Sequence, residues 1–106
     1  VFFVAEDVET ERALGYIGMH HILDEGAIAN IVVHPGYRRK GVATRLLNEV
    51  IDYAKRHDIK RLTLEVRVSN APAIALYKKM GFKMDGIRPG FYDSPKEDAA
   101  IYSLYL

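Results

Sequence analysis

Six consecutive residues, Arg38-Arg39-Lys40-Gly41-Val42-Ala43, stand where an apolar run at 28–33 gives way, through His34-Pro35-Gly36-Tyr37, to a segment of helical periodicity beginning near Arg39. That placement describes a phosphate cradle. The first N–H groups of a helix lack intrahelical partners and carry partial positive charge, so they bind an anion wherever the backbone can approach it. Gly41 has no Cβ and Ala43 only a methyl, and Arg38, Arg39 and Lys40 add full charges beside the same N–H groups. The ligand expected carries a pyrophosphate or several phosphates. A solvated basic face would use the same residue types, and the strand–loop–helix setting is what separates the two readings.

Three other residues could do chemistry. Glu65 projects from the stretch 61–68, in which Leu62, Leu64, Val66 and Val68 alternate with Thr63, Glu65 and Arg67. A period of two puts the apolar residues on one face of a strand and the carboxylate on the other. Its simplest partner there is Arg67, two residues on. Asn70 follows at the strand's end and is most simply a helix N-cap. Tyr77 lies two turns further along the same side and is most simply a core aromatic with its hydroxyl at the surface. His34 reads as a loop residue before Pro35, and His20-His21 lack the spaced partners that metal ligation needs, so no metal is expected.

These residues must be positioned by a chain of 106 residues, enough for one domain with one modest core, whose elements read in the order βββαβαββ. Segments 1–5, 13–23 and 27–33 are the first three strands. A charged turn at 6–12 and a tight turn at Asp24-Glu25-Gly26 join them as an antiparallel meander. From Arg39 to about His57, the residues Val42, Ala43, Leu46, Leu47, Val50, Ile51 and Ala54 recur at the spacing of a helix with one buried face. After the strand 61–68, Ser69-Asn70 and Pro72 open a second helix that Gly81 closes. Segment 82–88 reads as a strand, 89–98 as a polar loop and 99–106 as the final strand. Strand, helix and strand through Val33, Leu46 and Leu64 imply a parallel pair inside a mixed, mostly antiparallel sheet, an α/β arrangement of the α+β kind.

Composition narrows the functions. Fifteen Lys and Arg against 14 Asp and Glu leave a net charge of +1, too little for a general attraction to nucleic acid or membrane, so any basic patch is local. The absence of cysteine excludes a disulfide scaffold, thiolate metal ligation and a cysteine nucleophile, and fits a reducing, cytoplasmic setting. No apolar stretch approaches the roughly 20 residues that span a bilayer.

Taken together, the residues resemble one family. V-H-P-G-Y-R-R-K-G-V-A-T-R-L-L from Val33, followed by L-E-V-R-V-S-N-A-P-A-I-A-L-Y-K-K-M-G-F from Leu64, is similar to the acetyl-CoA-binding core of the GNAT N-acetyltransferases. The second stretch, with Phe91-Tyr92 and Glu97-Asp98-Ala99, resembles the RimI-type branch, which acetylates the N-terminal amine of a ribosomal protein beginning with alanine. The likeness runs from about Gly26 to Leu106, and the spacing from Gly41 through Glu65, Asn70 and Tyr77 to Gly81 makes it specific.

The resemblance implies a GNAT fold, with acetyl-CoA in a gap between the two parallel strands. Backbone groups at Ile31, Val32 and Val33 would hold the pantetheine and acetyl end. The loop of Arg38, Arg39, Lys40, Gly41, Val42, Ala43 and Thr44 would hold the pyrophosphate, and Asn70 and Tyr77 would touch the cosubstrate farther along. Glu65 would be the proton acceptor and Tyr77 the proton donor in direct transfer to a protein N-terminus. Alanine at 43 stands where the family often has a glycine. The strand and two helices that usually open GNAT domains, and wall part of the acceptor site, are not seen. The chain thus reads as a single domain shortened at its N-terminus, the missing wall coming from an upstream segment or a second subunit in a homo-oligomer. A GNAT enzyme for small amines or lysine side chains, and a CoA-binding module without catalysis, are the alternatives. A nucleic-acid binder is disfavoured by the near-zero net charge.

Overall fold

Val42, Leu46, Leu47, Val50, Ile51 and Ala54 do form one face of a helix, α1 (Val42–Arg56), and all six are buried. Each fully buried aliphatic side chain of this size contributes roughly 1.5–3 kcal/mol, so this face is a main source of the fold's stability. It packs on Ile17, Met19, Ile28, Leu62, Leu64 and Val66 of the sheet in one contiguous core, which also holds Tyr77, Phe82 and Tyr102.

The computed structural model describes residues 1–37 and 41–106. Among these residues one sheet contains β1 (Phe2–Glu6), β2 (Ala13–Ile22), β3 (Glu25–Val33), β4 (Arg61–Arg67), β5 (Lys83–Tyr92) and β6 (Glu97–Tyr105), in the order β1-β2-β3-β4-β6-β5. Helix α1 joins β3 to β4, and α2 (Ala71–Lys79) joins β4 to β5. Every neighbouring pair is antiparallel except β3–β4. The expected mixed sheet with a central parallel pair is therefore present.

At β3 the sheet changes character. Its ladder with β4 runs through Glu25–Arg61, Gly26–Leu62, Ala27–Thr63 and Ile28–Leu64, and stops there. Its ladder with β2 continues to Val33, but slips: Met19 faces Ile28 while Gly18 faces Asn30, leaving Ala29 over. An extra residue bends a strand and increases its twist. It also reverses the strand's faces. Gly26 and Ile28 point to the core before the slip, and Ile31 and Val33 after it. Beyond Ile28, then, β3 follows β2 and parts from β4.

The other end of the parallel pair is pinned shut. Arg61, the first residue of β4, donates from Nη1 to Glu25 on β3 (3.2 Å) and from Nη2 to Asp85 on β5 and Ser103 on β6 (3.2 Å to the hydroxyl). The Ser103 hydroxyl in turn donates to Asp85 at 2.8 Å. These two donors, Ser103 before Arg61, hold the Asp85 carboxyl below its ordinary range. The Asp24 carbonyl accepts from the amides of Lys60 and Arg61, tying the β2–β3 turn to the same corner.

Several boundaries differ from expectation. Helix α1 begins at Val42 rather than Arg39, because Gly41 sits at its N-cap in the left-handed region (φ 77°); Arg38, Arg39 and Lys40 lie outside the described residues. The β2–β3 turn falls on Leu23-Asp24, so β3 starts at Glu25. The loop read at 89–98 is mostly strand, since β5 continues to Tyr92 across Pro89 and Gly90. An edge strand tolerates proline, and here the register jumps from Arg88–Ala99 to Tyr92–Glu97, with Gly90 (φ 62°) donating its N–H to the Asp98 carboxylate at 2.8 Å. On the face of the sheet away from α1, Phe2, Val4, Tyr16 and Val32 stay exposed, with Phe2 stacked on Tyr16 at 5.2 Å.

Close approach of β2 and β3 depends on Gly15. A Cβ there would lie 2.5 Å from the Val32 carbonyl oxygen and 3.2 Å from the Val33 Cα, both main-chain atoms that cannot rotate away. Gly15→Ala is expected to lower the free energy of unfolding by about 1–3 kcal/mol, read from urea midpoints. Gly18→Ala, whose Cβ would first meet the Phe2 ring at 3.4 Å, should cost clearly less.

Candidate active site

Where β3 and β4 part, a cavity of about 300 Å³ opens, lined by Ile28, Ala29, Asn30 and Ile31 on one side and Leu64, Glu65, Val66 and Arg67 on the other, with Asn70, Tyr77 and Tyr92. Successive strand residues point to opposite faces. A cavity touching four in a row on each strand therefore lies between the strand edges, within the plane of the sheet. It adjoins a cleft of about 660 Å³ lined by Ile31, Val32, Val33, Ala43, Asn70, Pro72, Ala73, Leu76 and Tyr77. The two share Ile31, Asn70 and Tyr77. One continuous groove thus runs from Glu65 along the open edge of β3 to the start of α1.

At that end α1 has no side-chain cap and no acidic residue in its first turn. The Arg45 amide bonds the Gly41 carbonyl at 3.1 Å, and the amides of Val42, Ala43 and Thr44 have no hydrogen-bond partner among the described residues. A Cβ on Gly41 would meet no atom of the described residues within 4 Å. The Val42 side chain itself is buried in the core, so only its main chain can serve a ligand.

Asn70 is the N-cap of α2, its Oδ1 accepting from the Ala73 amide at 3.3 Å, and its Nδ2 is left to donate. Tyr77 is 5% exposed and packs against Phe82, and its hydroxyl has no hydrogen-bond partner among the described residues. Burial raises its pKa above the ordinary 10.0, and Tyr92 nearby raises it further. Glu65 does not pair with Arg67 as expected. It pairs with Arg88 on β5, Nε to Oε2 at 3.4 Å, and its side chain stays 32% exposed. Arg67 is drawn to the β5–β6 loop instead, where Nη1 donates to the Pro95 carbonyl (2.9 Å) and to Glu97 (3.3 Å), and its guanidinium lies 4.4 Å from the Tyr92 ring centre.

A model of the acetyltransferase (GNAT) family matches residues 1–82. The chain belongs to the GNAT acetyltransferase family. Among GNAT relatives, the [ribosomal protein bS18]-alanine N-acetyltransferase of Escherichia coli (strain K12) is 44% identical over 85 residues, covering 78% of this chain and 57% of that protein. The chain thus spans little more than half the length of this relative. The crystal structure of the ribosomal-protein-S18-alanine N-acetyltransferase from Escherichia coli superposes with a TM-score of 0.91 at 36% identity, over 99% of this chain and 68% of that one. A structure of the NatC complex bound to Gag peptide and CoA superposes with a TM-score of 0.89 at 27% identity, over 99% and 70%.

In this GNAT domain the structure brings Glu65, Asn70, Tyr77, Ile31, Val32, Val33 and Ala43 onto one groove. It adds two residues that the sequence reading assigned no part. Tyr92 walls the cavity, and its pKa is raised by burial first and then by Glu65. Arg88 reaches Glu65. Both lie on β5, and the only signal for them in the sequence was the likeness around Phe91-Tyr92.

The Tyr77 shift has a measurable sign. A phenol whose pKa is higher folded than unfolded stabilises the fold fully below the unfolded value, and that stability is lost as pH rises through the folded value. Urea stability of this GNAT domain should therefore fall as pH climbs past 10.0, more steeply in the wild type than in Tyr77→Phe. Equal slopes in the two would show that Tyr77 ionises alike folded and unfolded.

Proposed function

We propose that this domain transfers the acetyl group of acetyl-CoA directly to the N-terminal amine of a protein, of the alanine-starting ribosomal class, in the cytoplasm. The observation that carries the reading is the groove itself: a carboxylate, Glu65, and a protonated phenol, Tyr77, on one cavity beside an unpaired strand edge. The relative from Escherichia coli that is named for alanine acetylation of bS18 supports the acceptor class. The NatC structure, bound to a peptide and CoA, supports the pairing of substrates.

The residues have distinct tasks in this reading. The edge of β3 at Ile31 and Val33, whose main-chain groups alternate with those of Val32 and so point away from β2, offers donors and acceptors to the amides of pantetheine, which an extended chain matches as an added strand would. The amides of Val42, Ala43 and Thr44 meet the pyrophosphate at the positive end of α1, with Arg38, Arg39 and Lys40 beside them in sequence. Asn70 and Tyr77 flank the thioester end.

A protein N-terminus has a pKa of about 7.7–8.0, so at neutral pH it arrives largely as an ammonium and must lose a proton before it attacks. Glu65 takes that proton, directly or through a water that its exposure admits, and passes it to solvent. The amine's lone pair then forms the C–N bond at the thioester carbon, and a β3 amide on the open edge, such as that of Val33, stabilises the oxyanion. As the C–S bond breaks, the sulfur takes a proton from Tyr77. The phenol recovers one from the nitrogen, which ends as an amide with a single hydrogen. Burial of Tyr77 serves this step by keeping the phenol protonated until the thiolate forms.

Tyr77→Phe is expected to reduce kcat about 10²-fold while changing the KM for acetyl-CoA only severalfold. Equal losses in both would mean that Tyr77 binds rather than donates. A competition among an alanine-starting peptide, a lysine-containing peptide with a blocked N-terminus and spermidine checks the acceptor. The alanine peptide should be acetylated first, and preference for either competitor would overturn the N-terminal reading.

A further inference from the structure

We propose that Arg88 is a positioning residue for Glu65, clamping one carboxylate oxygen so that the other faces the acceptor amine. This rests on the reading of Glu65 as the proton acceptor. Arg88 Nε stands 3.4 Å from Glu65 Oε2, and Oε1 has no partner among the described residues. The two residues are not on adjacent strands. Arg88 lies opposite Ala99 on β6, Ala99 lies opposite Arg67 on β4, and Glu65 lies opposite Ile101. The arginine side chain thus crosses β6 diagonally to reach β4, over a residue that carries only a methyl.

Neither arginine on β4 is free for this task. Arg67, the nearer residue in sequence, is held by Pro95, Glu97 and the Tyr92 ring. Arg61, on the same strand face, is held by Glu25, Asp85 and Ser103. Arg88 is itself steadied from its other side by the Phe91 ring, 5.5 Å from its guanidinium carbon. Phe91 reaches that place because of the register jump between Arg88 and Tyr92.

The location fits positioning better than stabilisation. Glu65 lines two hollows, the cavity with Tyr77 and a smaller one of about 220 Å³ with Arg61, Thr63, Arg88 and Ile101. The clamp comes from the smaller hollow, the side away from Tyr77, and leaves the Tyr77 side clear. An ion pair as exposed as this one, with side chains 57% and 32% accessible, adds little to stability. A carboxylate left free on the strand surface would sample several rotamers, whereas proton transfer needs it within hydrogen-bond reach of the amine or of one intervening water.

The test is a double-mutant cycle in kcat, with acetyl-CoA and an alanine-starting peptide. Arg88→Ala should lower kcat about tenfold, with the KM for acetyl-CoA within about twofold and an unchanged thermal midpoint. Arg88→Lys should recover part of the loss. In a Glu65→Gln background, Arg88→Ala should add no further loss, because its effect acts through that carboxylate. Wild-type kcat in Arg88→Ala, or the same fold-loss with and without Glu65, overturns the proposal while leaving Glu65 as base. Wild-type kcat in Glu65→Gln overturns the base reading itself, and the clamp with it.

Discussion

Four residue pairs hold β3 beside β4, and past Ile28 and Leu64 the two strands separate. Everything that makes the groove depends on that early end to a ladder. Main-chain N–H and C=O groups inside a protein need partners, and an open strand edge is a template for whatever extended chain can supply them. Strand β2 covers the opposite edge of β3 and β4 covers this one from Glu25 to Ile28, so the open edge is confined to the few residues after Ile28. A groove has thus been made by parting two strands in the middle of a sheet.

Opening one end of a strand pair would invite slippage if the other end were loose. The Arg61 network answers this, since one guanidinium contacts strands β3, β5 and β6 from its own place on β4. The buried face of α1 shares one contiguous core with Ile28 of β3 and with Leu62, Leu64 and Val66 of β4. The divergence is therefore held from two directions, by a polar corner and by an apolar floor. Tyr77 belongs to that floor and to the groove at once, and its burial in the floor raises its pKa.

Much of this was legible in the sequence, and the failures have physical causes. The buried face of α1, the alternation of β4 and the caps of α2 follow from local periodicity and side-chain chemistry, and the structure keeps them. The gathering of Glu65, Asn70 and Tyr77 was legible only through family likeness, because nothing local says that β3 and β4 part. The helix start was misplaced, since a left-handed glycine interrupts an otherwise suitable helical run at Gly41. Arg67 was the natural partner for Glu65 on spacing alone. Arg88, two strands away on β5, and Glu97, on the neighbouring β6, settled the pairing otherwise, and long-range competition of that kind leaves no trace in a strand's own pattern. Pro89 and Gly90 read as loop residues, yet an edge strand accommodated both.

The slip at Ala29 has a further consequence. A groove wall built from main-chain atoms is largely indifferent to which side chains its strand carries, but it is acutely sensitive to how many residues that strand contains. Removing one residue there would turn Ile31 and Val33 outward and rotate the whole wall by half a turn, while exchanging one apolar residue for another would scarcely register. The strand behaves like a text in which substitutions are misspellings and deletions are frameshifts. In this domain the number of residues between Ile28 and Val33 is a more stringent requirement than their identity.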